Sequence, residues 1–340
     1  MSQTSLPTRF HAFKLSPERL WGGMEPLADA VKHAEEAGYD AINCSDHVIL
    51  PRQMSEKLPD DLYYDKSVLG AYLAAHTKRI KIFFFVMVIP YHPPLQAAKA
   101  LATLDQVSNG RVILGTGVGN LEREFEMLGV PFHERGAITN EYLRVMKRLW
   151  TEENPSYHGK YINFEDAIFT PKCVQRPHIP IWIGGNGPAA IRRAVELGDG
   201  FVPRSGSLQT VEREANLIKE GLAKARRDPQ QFDFCYSLGV TERPTGTAGS
   251  SYPSYPFDAG AVIEGVEGLR AAGFNNVYVR FDFKTPTELK RQMDWFAAKV
   301  MPAFKASGDI TSMSQADGYI EIPAHTAALE QGALVDVTLF

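Results

Sequence analysis

The chain has 340 residues, 44% hydrophobic and 22% charged, a balance that excludes a disordered or fibrous protein. Basic and acidic residues number 36 and 40, and the net charge of −4 argues against a nucleic-acid partner. No apolar run reaches the ~20 residues of a membrane helix; the longest, 80–89, contains Lys81 and stops at Pro90. Three scattered cysteines, Cys44, Cys173 and Cys235, form no disulfide framework. With no charged-then-apolar leader in MSQTSLPTRF, the expected setting is a reducing cytoplasm, away from membranes.

In chain order, strands are expected at 9–15, 41–45, 80–89, 112–117, 179–184, 200–203, 232–240 and 276–283. The second to fifth are short, continuously apolar runs, as parallel strands covered on both faces should be. Between them lie helical patterns. Met24, Leu27, Val31 and Ala34 recur at three- and four-residue steps, as do Ile138, Tyr142, Val145 and Leu149. Gly38 follows one helix and Pro188 opens another, which fits stop and start signals. About eight strand–helix units in order is the pattern of a (β/α)8 TIM barrel, with a doubly wound open sheet as the alternative. Two segments interrupt the alternation. Residues 157–180 read as a small hairpin insertion before the fifth strand. Residues 241–258, rich in Pro, Gly, Ser and Tyr, read as a long loop over the mouth of a barrel. The eighth helix is expected at 287–305. Beyond it, 318–323 and 334–340 read as two short strands. The division is therefore a barrel over 1–306 and a C-terminal β-hairpin extension over 307–340.

Reactive groups of a barrel lie at the C-terminal ends of its strands. The second strand ends in Cys44-Ser45-Asp46-His47. An adjacent carboxylate and imidazole can orient a ring, pass a proton or bind a metal, or can simply anchor the loop. Cys44 reads as a packed strand residue. A metal site needs three or four converging ligands, and His11, His33, His76 and His92 lack that spacing, so none is expected. The fifth strand runs into Gly184-Gly185-Asn186-Gly187-Pro188, where glycines permit close backbone approach and a helix begins, a construction suited to phosphate. The fourth strand ends in Gly115-Thr116-Gly117-Val118-Gly119-Asn120. This is neither a nucleotide P-loop nor a dinucleotide fingerprint, and it reads as a backbone wall for a flat ligand or as a tight turn. Phe83, Phe84 and Phe85 are core residues of which one faces the mouth, because alternate strand residues point opposite ways. Arg204 ends the sixth strand where it could meet a phosphate or an acidic coenzyme tail, or be a solvated loop arginine, and Arg52 and Lys57 could do likewise. Asp105, Arg111, Arg135 and Glu141 read as groups that fix loops through charge-assisted bonds.

The order of Ser45-Asp46-His47, KALATLDQVSNGR, LGTGVG, EFEMLGVPFHERG, PIWIGG and GDGFVP resembles the bacterial-luciferase-like flavin- and deazaflavin-dependent oxidoreductases, closest to the subgroup assigned to coenzyme F420. The resemblance covers most of residues 9–305 and implies the TIM barrel. It places a ligand at the C-terminal mouth, with its phosphate on Gly184, Gly185, Asn186 and Gly187 and its ring near Phe84, Phe85, Gly117, Gly119 and Asn120. It implies a non-proline cis peptide near Phe84-Phe85, catalytic roles for Asp46 and His47, and a homodimer. Val118 stands where sugar-phosphate-oxidising relatives carry a glutamate, which counts against that substrate. The tail, with SQADGYIEIPA and ALVDVTLF, is similar to the closing segment of molybdenum-cofactor-insertion proteins, and is read as a packing or oligomer-contact hairpin.

Three functions remain open on these residues. The first is hydride transfer between F420 and a small, apolar organic substrate, with His47 moving the proton and Asp46 holding either the orientation of His47 or the cofactor ring. Tyr252 and Tyr255, with the three phenylalanines, suggest the aromatic-walled pocket. The second is an FMN-dependent monooxygenase using reduced flavin and dioxygen. The third is a non-catalytic flavin-binding protein.

Overall fold

The structure is a computed structural model that describes residues 8–14, 21–52, 63–241, 252–304, 318–320 and 337–339. Leu15, Lys57, most of the 241–258 loop and most of the 307–340 extension lie outside these residues. The elements run β1 (Arg9–Lys14), α1 (Met24–Glu36), β2 (Ala41–Cys44), α2 (Lys66–His76), β3 (Lys81–Val88), α3 (Pro94–Ser108), β4 (Val112–Gly117), α4 (Glu122–Met127) and α5 (Arg135–Thr151). They continue with β5 (Tyr157–His158), β6 (Asn163–Phe164), β7 (Ile181–Gly184), α6 (Pro188–Leu197), β8 (Gly200–Val202), α7 (Leu208–Lys224) and β9 (Asp233–Val240). Last come β10 (Ser254–Tyr255), α8 (Ala259–Ala271), β11 (Asn276–Phe281), α9 (Pro286–Lys299), β12 (Gly318–Ile320) and β13 (Val337–Leu339).

Strands β1, β2, β3, β4, β7, β8, β9 and β11 pair in parallel, and β8 returns to β9, so the sheet closes into a barrel. Closure decides against the open doubly wound sheet. The central strands are buried on both faces because helices cover the outside and side chains fill the inside. In β2, Ile42 and Cys44 face the helical layer and Ala41 faces the barrel interior. The interior is occupied: Trp182 stacks on His11 and meets Phe83 edge-on at 4.9 Å, and Phe85 meets Tyr278 at 5.3 Å. Below them Arg9 pairs with Asp233 at 2.9 Å. A ligand is therefore confined to the mouth.

Local chemistry sets the helix ends. Asp65 caps α2, Ser207 caps α7, Asp258 caps α8 and Thr285 caps α9, each accepting from a first-turn amide. Asn109, with φ of 55°, stops α3 in the left-handed region. The last helix ends at Lys299, not 305, because Pro302 falls in a separate 3-10 turn, Met301–Ala303. The fifth barrel strand begins at Ile181 instead of 179, and the eighth ends at Phe281 instead of 283. The 157–180 insertion holds the antiparallel pair β5–β6, and β12 pairs antiparallel with β13.

The charged residues read as loop anchors take that role. Asp105 accepts from the amides of Val174 and Gln175. Arg111 donates to the carbonyls of Ala74, Thr77, Ile80 and Ser108. Glu141 accepts from three successive amides, Lys160 to Ile162. Arg135 lies on the Phe132 ring, 3.9 Å from its centroid. Among the described residues no helix is long and apolar enough to cross a membrane.

Candidate active site at the barrel mouth

Asp46 and His47 follow β2 at the C-terminal mouth, as their place in the sequence requires, but they do not pair with each other. His47 Nδ1 lies 2.8 Å from Oε2 of Glu124. Glu124 belongs to α4, the short helix after β4, and is fully buried. Its other oxygen accepts from the amides of Val48 and Ile49, at 2.9 and 3.3 Å. The Tyr91 hydroxyl donates to Oε2 at 3.1 Å. A carboxylate that only accepts requires the imidazole to carry its proton on Nδ1. In the neutral imidazole Nε2 is then an acceptor, with no hydrogen-bond partner among the described residues. The ring is about a quarter exposed and meets Tyr63 edge-on at 4.8 Å. Burial, and then the charge of Glu124, push the Tyr91 hydroxyl well above its usual range, so it stays a donor.

Asp46 has a different task. Its Oδ2 accepts from the Val88 amide at 2.9 Å and from His92 Nε2 at 2.8 Å. Burial pulls His92 down, but the hydrogen bond and charge of Asp46, with the charges of Asp65 and Glu124, outweigh it and the net shift is upward. Of the two roles expected for Asp46, orienting His47 is corrected: Glu124 holds the imidazole, and Asp46 ties the β2 loop to the end of β3. Two imidazole–carboxylate pairs stand side by side at the mouth.

The floor is built at an irregularity of β3. Its register against β4 shifts between Phe84 and Met87, and the Phe85–Val86 peptide is cis, beside the expected pair. Phe85 and Val86 pack on the interior cluster, whereas Phe84 faces the helices. Alternation therefore puts Phe85 at the mouth and takes Phe84 away from any ligand there. A Cβ on Gly117 would lie 2.6 Å from Val86 Cγ2, and one on Gly184 would lie 2.9 Å from Val86 Cγ1 and 2.6 Å from the Thr116 carbonyl oxygen. These glycines give their space to Val86. Gly119, with φ of 78°, admits Phe125 and Val88 where its own Cβ would be; this turn brings α4, and with it Glu124, under His47. Asn120 is exposed beyond it.

The glycine turn after β7 is less open than a phosphate cradle requires. Gly185 and Gly187 have φ of 112° and 81°, and Pro188 opens α6. The Gly187 amide already donates to Glu214 Oε1 at 2.7 Å, and Asn186 Nδ2 donates to Glu214 Oε2 at 2.8 Å. Asn186 Oδ1 accepts from the amides of Arg204 and Ser205, so Asn186 clamps two loops together. The Arg204 side chain is exposed.

On the far wall, Ser254–Tyr255 adds to the end of β9, beside Gly239. Tyr252 stacks on the Arg280 guanidinium, 4.4 Å from the ring centroid, and Arg280 Nη1 donates to its hydroxyl at 3.3 Å. Tyr255 points the other way, onto Gly265 of α8, so it does not line the mouth. Cys44 is packed; burial raises the Cys173 thiol to about 12 and Cys235 beyond that, and neither is poised as a nucleophile. Among the described residues no cluster of three or more His, Cys, Asp or Glu could hold a metal ion.

Glu124, His92, Tyr91, Val86, Glu214 and Arg280 were not read from the sequence as site residues. The available signal for Glu124 was its place in the EFEMLG block, which marked the family and not its contact with His47.

A barrel closed below and open above, with a paired imidazole on a strand end and a glycine-flanked floor, defines a mouth-sited enzyme of the luciferase-like class. A sequence model described as luciferase-like monooxygenase matches residues 3–248, and the chain belongs to this family. A second, described as the MoeA C-terminal region (domain IV), matches residues 296–340. An F420-dependent glucose-6-phosphate dehydrogenase of Nakamurella multipartita is 33% identical over 245 residues, covering 70% of this chain and 69% of that protein. An F420-dependent secondary alcohol dehydrogenase, solved with an F420–acetone adduct, superposes with a TM-score of 0.73 at 19% identity, covering 88% of this chain and 99% of the other. A long-chain alkane monooxygenase superposes with a TM-score of 0.75 at 14% identity, covering 91% and 92%. At such identities the two structures share the fold with this chain.

Proposed function

We propose that this enzyme transfers a hydride between coenzyme F420 and a small, apolar organic substrate at the barrel mouth. The observation that carries the reading is the His47–Glu124 pair, which fixes an imidazole at the mouth whose Nε2 has no hydrogen-bond partner among the described residues. The residues fit a flat tricyclic ring. Val86, between Gly117 and Gly184, offers an apolar floor, and Phe85 supports it from below. Asp46 holds the chain end of β3 beside that floor. A deazaflavin, when bound, supplies the hydride-accepting carbon, and a flavin would supply dioxygen chemistry instead. In alcohol oxidation, Nε2 takes the hydroxyl proton while the hydride leaves the carbon; in carbonyl reduction, it returns that proton. Glu124 stabilises the imidazolium formed in between, without itself taking the proton.

The relative named as a glucose-6-phosphate dehydrogenase supports F420 as cofactor. Fluorescence titration of the apoprotein with F420 and FMN, oxidised and reduced, tests the assignment. Tight F420 and weak FMN binding is expected. Preference for reduced FMN moves the assignment to an oxygen-using monooxygenase, and binding of neither overturns it. With cofactor bound, His47→Ala should lower turnover by about 10²-fold or more and leave cofactor affinity unchanged.

A further inference from the structure

We propose that Glu214 is a selectivity residue for the cofactor tail: it occupies the anion seat of the glycine turn and so weakens binding through a phosphate. This rests on the flavin-type cofactor reading above. Glu214 reaches the turn from α7, a separate helix, and is 92% buried on its 8% relative exposure. Each carboxylate oxygen takes one donor of the turn, the Gly187 amide and the Asn186 side-chain amide.

Helix starts favour anions because first-turn amides are unpaired and the helix dipole is positive there. Here that attraction is met from within the chain. Gly187 offers its only N–H to Glu214, and Pro188, the first residue of α6, has none. An arriving phosphate is left the amides of Ala189 and Ala190, the next two along the turn, and must share it with a carboxylate. No ion pair to Glu214 occurs among the described residues. Arg204 contributes its backbone amide to Asn186, not a guanidinium to Glu214. Two anions within one turn repel strongly in a partly buried site. The phosphate then either accepts that repulsion or displaces Glu214 from two hydrogen bonds; both weaken it. A tail held by neutral hydroxyls meets no such opposition.

The test compares FMN with riboflavin, which differ only in the phosphate, and beside them F420 with its dephosphorylated chromophore, which differ in the phosphodiester together with the acidic tail it carries. In the native chain, each pair should bind with dissociation constants within about tenfold of each other, as expected when like charge offsets the phosphate contacts. Glu214→Ala frees both donors. It should strengthen FMN and F420 about tenfold or more, and leave riboflavin and the dephosphorylated chromophore within about threefold. Glu214→Gln should move the ratio the same way, less far, because its NH2 group faces the Asn186 amide. A residue that merely props the loop would weaken both members of a pair together and leave the ratio unchanged; that result overturns the proposal. A native phosphate preference above about a hundredfold overturns it too, whether or not the variants fold. If the native chain binds neither flavin nor deazaflavin, the cofactor reading falls, and this inference with it.

Discussion

Replacing Glu124 with Gln perturbs the site where its chemistry is most constrained. The buried carboxylate accepts four hydrogen bonds, from His47, Tyr91, Val48 and Ile49. A carboxamide replaces one of the two accepting oxygens with a donating NH2. If its oxygen stays on the two amides, the NH2 faces His47 Nδ1 and the Tyr91 hydroxyl. His47 can accept that donor only by shifting its own proton to Nε2. The atom offered to the substrate then changes from acceptor to donor. Hydrogen bonds to charged groups are worth ~1.5–3 kcal/mol each, and two are rearranged while the cost of burying a charge disappears, so the net destabilisation should be about 2–4 kcal/mol. The wrong tautomer removes the proton-transfer contribution, so kcat should fall by about 10²–10⁴-fold. Cofactor affinity should stay within about threefold, because Glu124 reaches the ring seat only through His47. Steady-state kinetics, equilibrium cofactor titration and a thermal melt together read these quantities. Retention of kcat within about threefold would refute the tautomer argument. A parallel loss of kcat and cofactor affinity would reduce Glu124 to a loop anchor.

Three further expectations concern packing and pH. Gly184→Ala would put a methyl group 2.6 Å from a backbone oxygen and 2.9 Å from Val86. Such overpacking costs about 1–3 kcal/mol; the melt should fall and cofactor binding weaken with it, and an unchanged melt would contradict the close approach. Burial lowers His11 from 6.5 to about 4. Between those values the unfolded chain binds a proton that the folded chain does not. Stability should therefore rise with pH across that window, by up to about 3 kcal/mol. His11→Gln should flatten denaturant-derived stability over the same range, and persistence of the slope would assign it elsewhere. His92 acts in the opposite sense: its raised value contributes stability present below the unfolded value of about 6.5 and lost as pH rises through the folded one.

The sequence by itself determined what depends on near neighbours. Continuous apolar runs separated by helical periodicity specified eight strand–helix units, and the strand ends placed Asp46 and His47 at the mouth. Glycines at 117, 119 and 184 marked close approaches, and those at 185 and 187 marked a turn with positive φ, because only a missing Cβ or a left-handed turn makes them necessary. Boundaries slipped where a single residue outweighed the pattern, as Pro302 did at the end of α9. The tertiary structure decided who pairs with whom. Glu124 lies 77 residues from His47, and Glu214 lies 27 from Gly187. No periodicity links such positions; they meet because the barrel closes and sets neighbouring helices at fixed angles around its rim. Adjacency in sequence suggested that Asp46 orients His47. Instead, the loop after β2 sends these two side chains to different partners: His92 for Asp46, and Glu124 for His47. The same logic gave Val86 the space of two glycines and turned an apparently open phosphate turn into one already holding a carboxylate.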